Sequence, residues 1–105
     1  MVNKEVIEML KKYIQLLNSE GISVEKAYLF GSYSTGSASE NSDIDVMLVS
    51  DTYDENDDIT FGKAWLLTRK INTKIEPYLV SRRSFEKESG SPLISLVKEQ
   101  GIEFM

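Results

Sequence analysis

The chain has 105 residues, of which 41% are hydrophobic, so it is long enough for one compact core and short for two. It contains no cysteine and no histidine, which excludes disulfides, the usual zinc ligands and a histidine general base. Its net charge of -5 argues against a nucleic-acid polymer as ligand, because phosphate backbones are bound by clustered Lys and Arg. We expect a cytoplasmic protein, since no apolar run approaches the roughly 18 residues of a membrane span and the N-terminus is unlike a signal peptide.

The first half of the chain is predicted to form a helix followed by two strands. Apolar residues at helical spacing predict a helix over residues 3–19, with Gly21 where a helix end belongs. Residues 25–30 (EKAYLF) predict a short strand, and residues 44–49 (IDVMLV) predict a second, mostly buried one. The serine-rich stretch between the two strands is expected to form a turn or a short helix.

An acidic loop is predicted to lead into the second main helix. The last acids of residues 51–58 (DTYDENDD) lie where a helix begins, and carboxylates there interact favourably with the helix dipole. We expect this helix to bury one face, formed by Phe61, Ala64, Trp65, Thr68 and Ile71. Residues 74–80 then predict a third strand, in which Pro77 indicates an edge position or a bulge because proline cannot donate to the ladder.

The end of the chain is predicted to hold one more helix. Pro92 suits its first turn, Gly101 ends it, and residues 102–105 add a short strand. Strands that alternate with helices predict an α/β fold. Because there is no repeat, linker or low-complexity segment, we expect residues 1–105 to form a single domain.

The segment most informative about chemistry begins with Gly31 and Ser32, at the end of the first strand. Glycine can turn sharply there and let the backbone approach a phosphate, while Ser32 offers a hydroxyl and an amide at a helix start. We therefore predict a phosphate cradle at this pair. An ordinary turn with a helix cap is the alternative for the pair taken alone.

Two carboxylates follow ten residues later. Asp43 and Asp45 stand two apart on a predicted strand, so both project from the same face, and an acid inside an apolar run needs a partner. Glu76, near the start of the third strand, could reach the same place; its alternative is a surface acid paired with Lys74. Three oxygen ligands of this kind fit Mg²⁺, which also takes the substrate's phosphates as ligands.

The pattern of Gly-Ser, ten residues and Asp-x-Asp resembles the nucleotidyltransferase superfamily that includes DNA polymerase beta and kanamycin nucleotidyltransferase. The short length and the string GSYSTGSASENSDIDVMLVS are similar to the minimal nucleotidyltransferase antitoxins that accompany HEPN-domain toxins. The resemblance implies the nucleotidyltransferase fold, a small mixed β-sheet flanked by helices. It maps the family's third carboxylate onto Glu76.

The resemblance also implies a reaction and a partner. It implies Mg²⁺-dependent transfer of AMP from ATP to a hydroxyl. In this reaction Asp43, Asp45 and Glu76 would be the catalytic and metal-binding residues, and Gly31 and Ser32 would hold the phosphates. The acceptor would be a tyrosine hydroxyl of a HEPN toxin. Two alternatives stay open: an antitoxin that neutralises its partner by binding alone, and a small-molecule nucleotidyltransferase subunit of the kanamycin type.

Two features depart from the family pattern. Many relatives carry an arginine after the Gly-Ser pair, where this chain has Tyr33, and the third acid is Glu76 where aspartate is commoner. For contact with the partner we expect aromatic anchors, namely Tyr33, Tyr53 and Tyr78 near the active edge and Phe104 in the C-terminal tail.

Overall fold

The computed structural model describes residues 4–39, 41–87 and 90–105. The first predicted helix starts at residue 3, which lies outside the described residues. Its predicted end at Ser19 is confirmed. The described elements are α1 (Lys4–Ser19), β1 (Lys26–Phe30), α2 (Ser32–Thr35), β2 (Ile44–Ser50), α3 (Asp58–Leu67) with a 3-10 turn (Thr68–Lys70), β3 (Ile75–Ser81), α4 (Arg82–Lys87), α5 (Pro92–Gln100) and β4 (Ile102–Glu103).

The four strands form one mixed sheet in the order β3-β2-β1-β4 with helices on both faces, which confirms the predicted α/β fold with a small mixed sheet. β2 and β3 are parallel, whereas β1 is antiparallel to both β2 and β4. β3 lies at the edge of the sheet and pairs with β2 without interruption from Ile75 to Ser81. The edge position expected from Pro77 is therefore confirmed, and no bulge is needed to accommodate it.

Each face of the sheet is covered by different helices, because alternate strand residues point to opposite sides. We call the side covered by α1 and α3 the α1/α3 face, and the side covered by α4 and α5 the α4/α5 face. The α1/α3 face holds the larger core, with strand residues Ala27, Leu29, Ile44, Val46, Leu48, Ile75 and Leu79 packed on helix residues such as Leu10, Leu17 and Ala64. The α4/α5 face holds Tyr28, Phe30, Met47, Val49, Phe85, Ile94 and Val97.

Side-chain hydrogen bonds fix the helices at their ends and to one another. The Tyr13 hydroxyl donates to the Ala64 carbonyl at 2.6 Å, which joins α1 to α3 in the core. Asp57 caps α3 by accepting from the Thr60 amide, as the acidic run predicted, and Ser91 caps α5 in the same way. No helix within the described ranges is long and apolar enough to cross a membrane.

The predicted buried face of α3 is wrong in part. Ala64 and Thr68 are buried and Ile71 packs on the core, but Phe61 is 40% exposed and Trp65 38% exposed. Leu67 is buried instead. The reason is that α3 is apolar nearly all round, so the periodicity of its sequence does not single out one face.

Of the four aromatic residues expected as partner anchors, Tyr53 is buried in the α1/α3 core and so cannot serve as one. Tyr33 and Phe104 pack partly exposed against the α1/α3 core, and Tyr78 packs partly exposed against the α4/α5 core. A role of these three residues in partner contact stays a prediction. The helix α4 was not predicted, because it buries a single side chain, Phe85, and so has no apolar period to detect.

Candidate active site

The three predicted carboxylates lie on one face of the sheet. Asp45 and Glu76 are paired residues of the parallel strands β2 and β3, so their side chains point to the same side. That side is the α4/α5 face, because Met47 and Val49 follow Asp45 by two and four residues and belong to its core. Asp43, two residues before Asp45, continues the same row.

The helices that cover this face stop short of the acids. Met47 and Val49 are fully buried under α4 and α5, whereas Asp45 and Glu76 are half-buried and Asp43 is exposed. The acids also lie at the beginnings of β2 and β3, where β1 ends and the chain turns into α2. One end of the α4/α5 face is therefore an open acidic surface bordered by the Gly31 turn.

The folded protein raises the pKa values of two of the three carboxyl groups. The Asp43 carboxylate lies within hydrogen-bonding reach of Glu76 and so raises the pKa of Glu76, since that bond requires a proton; burial and the charges of Asp43 and Asp45 raise it further. Burial raises the pKa of Asp45, and the charge of Asp43 adds to the effect. The cluster thus favours any species that brings positive charge to it.

Gly31 presses the backbone directly against Asp45. It follows Phe30, whose partner in β2 is Asp45, and its φ of 73° with ψ of -145° lies in a region used almost only by glycine. A Cβ at this position would overlap the Asp45 Oδ2 atom. The Asp45 carboxylate therefore lies directly against the Gly31 backbone, a contact that only glycine allows at this position.

The Gly31 turn leads into the short helix α2, where Ser32 is the first residue and is half-buried. The Gly31 carbonyl accepts hydrogen bonds from the Ser34 amide at 3.1 Å and from the Ser34 hydroxyl at 3.0 Å, which hold the turn closed. Tyr33, in the place of the family's arginine, packs against the α1/α3 core. It therefore stabilises the turn and does not supply a positive charge.

Tyr78 joins the site although the sequence indicated it only as a contact for a partner. Its hydroxyl donates a hydrogen bond to Glu76, and its ring meets Phe30 edge-on at 5.2 Å between centroids. Burial raises the pKa of Tyr78, and the charges of Asp45, Glu76 and Asp43 raise it further, so the hydroxyl keeps its proton. The spacing of two residues between Glu76 and Tyr78 on one strand is the sequence signal for this contact.

The residues present suit a hard cation, although their side chains are not fully converged. All the donors are oxygens, and two of the acids are opposite each other on paired strands. Among residues 4–39, 41–87 and 90–105, no three acidic, histidine or cysteine side chains are gathered closely enough to hold a metal as they stand. The carboxylates would have to rotate for all three to bind one ion.

The family model described as polymerase beta nucleotidyltransferase matches residues 6–86, more than half of the chain and all five predicted site residues. No curated protein sequence matches the chain significantly.

Three solved structures illustrate the structural similarity. A nucleotidyltransferase from Sulfolobus solfataricus is 17% identical with a TM-score of 0.65, over 93% of this chain and 78% of that one. A toxin-antitoxin with AMP-PNP is 28% identical with a TM-score of 0.63, and the match covers 92% of this chain and 70% of that one. The structure of a tri-AMPylated Shewanella oneidensis HEPN toxin in complex with an MNT antitoxin gives 28% identity and a TM-score of 0.57. This match covers 90% of this chain and 67% of that one.

We predict that Gly31→Ala destabilises the protein more than Gly36→Ala. Both glycines have positive φ, but a Cβ at Gly36 meets no atom within 4 Å, whereas at Gly31 it overlaps Asp45. The Gly36 change should cost about 1 kcal/mol and the Gly31 change about 1–2 kcal/mol more, measured by denaturant unfolding. Adding Asp45→Ala should recover part of the Gly31→Ala loss. Equal losses for the two glycines would show that the contact with Asp45 is not strained.

We also predict that Asp45→Asn stabilises the protein in magnesium-free buffer. The folded state raises the pKa of Asp45, so the charged form opposes folding above that pKa, and the penalty disappears as pH falls below the ordinary range of a carboxyl group. The melting temperature should rise by roughly 2–4 °C at pH 7, with a smaller gain in acid. The exposed Asp51, changed to Asn, is the matched control. A loss of stability at pH 7 would mean that Asp45 forms a favourable contact within the chain.

Proposed function

Because the chain belongs to the polymerase beta nucleotidyltransferase family, we propose that it transfers AMP from ATP to a hydroxyl of a partner protein, as an antitoxin of the minimal nucleotidyltransferase type. The observation that carries this proposal is the row of three acids on one sheet face, beside the Gly31 turn that lies directly against the Asp45 carboxylate. The partner would be a HEPN-domain toxin and the acceptor a tyrosine hydroxyl.

The proposed roles follow from position. Asp43 and Asp45 would hold two Mg²⁺ ions, and Glu76 would bind the one nearer the acceptor. The Gly31 turn and the Ser32 hydroxyl and amide would hold the β- and γ-phosphates, since they border the acids at the start of α2. Bound Mg²⁺ would neutralise the triphosphate and stabilise charge on the attacking and leaving oxygens.

In the proposed reaction the acceptor oxygen forms a bond to the α-phosphorus, and the bond from that phosphorus to the α-β bridging oxygen breaks, releasing pyrophosphate. Glu76 takes the proton from the acceptor hydroxyl. Tyr78 supports that step by holding the Glu76 carboxyl group through its hydrogen bond. Positioning of the two substrates and neutralisation of charge account for most of the rate enhancement.

The proposal of a protein acceptor rests on two observations. One similar structure contains a tri-AMPylated HEPN toxin with an MNT antitoxin, and another is a toxin-antitoxin with AMP-PNP. In addition, the acids lie on an open surface at one end of the sheet, where a second protein can approach them. The alternative is an antitoxin that acts by binding alone, for which the nucleotide would be dispensable.

The test is to incubate the purified chain with ATP, Mg²⁺ and the protein encoded by the adjacent gene, and to measure the intact masses of both chains. The partner should gain the mass of one or more AMP groups. The double change Asp43→Asn with Asp45→Asn should lower the rate by at least about 100-fold, because the metal ligands are lost while the fold remains. Asp51→Asn, which neutralises an exposed acid just beyond β2, should leave the rate unchanged.

The outcomes separate the candidate functions. A tight complex without any gain in mass would identify an antitoxin that acts by binding, and adenylylation of a free small molecule would identify the kanamycin type. A mass gain that survives the double change would place the reaction away from Asp43 and Asp45.

A further inference from the structure

The outward surface of α3 carries an apolar row that no part of the described chain covers. Ile59 is 85% exposed and Leu66 is 58% exposed, and they lie on one line with Gly62, at spacings of three and four residues. Phe61 and Trp65 flank this row on one side. Exposed apolar patches of this kind mark interaction sites in folded proteins. We call this surface the α3 outer face.

Opposite charges lie at the two ends of the α3 outer face. Asp58 begins the helix, whereas Arg69 and Lys70 end it in the 3-10 turn. Asp58 and Arg69 form no ion pair with another residue of the described ranges. The face is therefore negative at one end, apolar in the middle and positive at the other.

The same face carries both a protruding side chain and a recess. A shallow cavity of about 370 Å³ lies beside Gly62, Trp65 and Leu66, toward the positive end. Ile59 projects near the negative end. If two such helices lie antiparallel, each Ile59 meets the cavity beside Leu66 of the other helix, and each Asp58 meets Arg69. A surface that fits itself under a two-fold rotation is the requirement for a symmetric dimer.

The position of this face separates it from the acidic site. α3 packs on the α1/α3 face of the sheet, whereas Asp43, Asp45 and Glu76 project from the α4/α5 face. A protein docked on the α3 outer face would approach from the wrong side to present a hydroxyl to the acids. We propose that the occupant is a second copy of this chain, in an antiparallel α3-α3 dimer that leaves both acidic sites open. This dimer does not depend on the proposed transferase activity.

The dimer is tested by measuring the mass of the purified full chain in solution over a range of concentrations, by sedimentation. The wild-type chain should be dimeric, and Leu66→Asp should raise the dimer dissociation constant by at least about tenfold. Leu96→Asp is the matched control, because Leu96 is 41% exposed but lies on α5, on the other side of the sheet. It should leave the dissociation constant unchanged.

Exchange of the end charges distinguishes this dimer from any other use of the face. Asp58→Arg and Arg69→Asp should each weaken the dimer, because each brings like charges together, and the double exchange should restore it. Circular dichroism of each variant checks that α3 still forms. A monomeric wild-type chain, or a dimer that Leu66→Asp does not weaken, would overturn the proposal. A chain that is monomeric alone and loses binding of its partner protein through Leu66→Asp would likewise overturn it and assign the face to that partner.

Discussion

The parallel pairing of β2 with β3 is the constraint on which the site depends. Its register sets Asp45 directly opposite Glu76, and the strand period then brings Asp43 to the same side. A shift of one residue would turn Glu76 toward the α1/α3 core and bring Ile75 to the acidic side. Burial of Ile44, Val46, Ile75 and Leu79 in that core prevents the shift, so the hydrophobic core determines where the charges lie.

The acids and the Gly31 turn adopt arrangements that are unfavourable by themselves, and the rest of the fold stabilises them. Burial raises the pKa of Asp45, the hydrogen-bonding contact with Asp43 raises the pKa of Glu76, and Gly31 adopts a backbone conformation that other residues avoid. The opposite side of the sheet is covered by two helices joined through the buried bond from Tyr13 to Ala64. One side of the sheet thus holds the larger core, and the other exposes the acids at its end.

The sequence predicted the strands and helices that position the site, because buried strands and helix caps leave local signals. It also singled out Gly31, Ser32, Asp43, Asp45 and Glu76, which the fold brings to one end of the sheet; their roles stay predictions. It could not predict which side of α3 is buried, since Phe61, Trp65 and Leu66 are as apolar as Ala64 and Leu67. The two-residue spacing places Tyr78 on the same face as Glu76, but the sequence could not predict the packing of the Tyr78 ring against Phe30, which is a tertiary contact.

The most direct test of the proposed site is a crystal structure of the chain grown with Mn²⁺ and a non-hydrolysable ATP analogue, with manganese located by its anomalous scattering. The account predicts manganese bound by the carboxylates of Asp43, Asp45 and Glu76, which rotate toward it. It also predicts the triphosphate against Gly31 and Ser32. A nucleotide bound elsewhere, or manganese absent from these three carboxylates in a nucleotide complex, would contradict it.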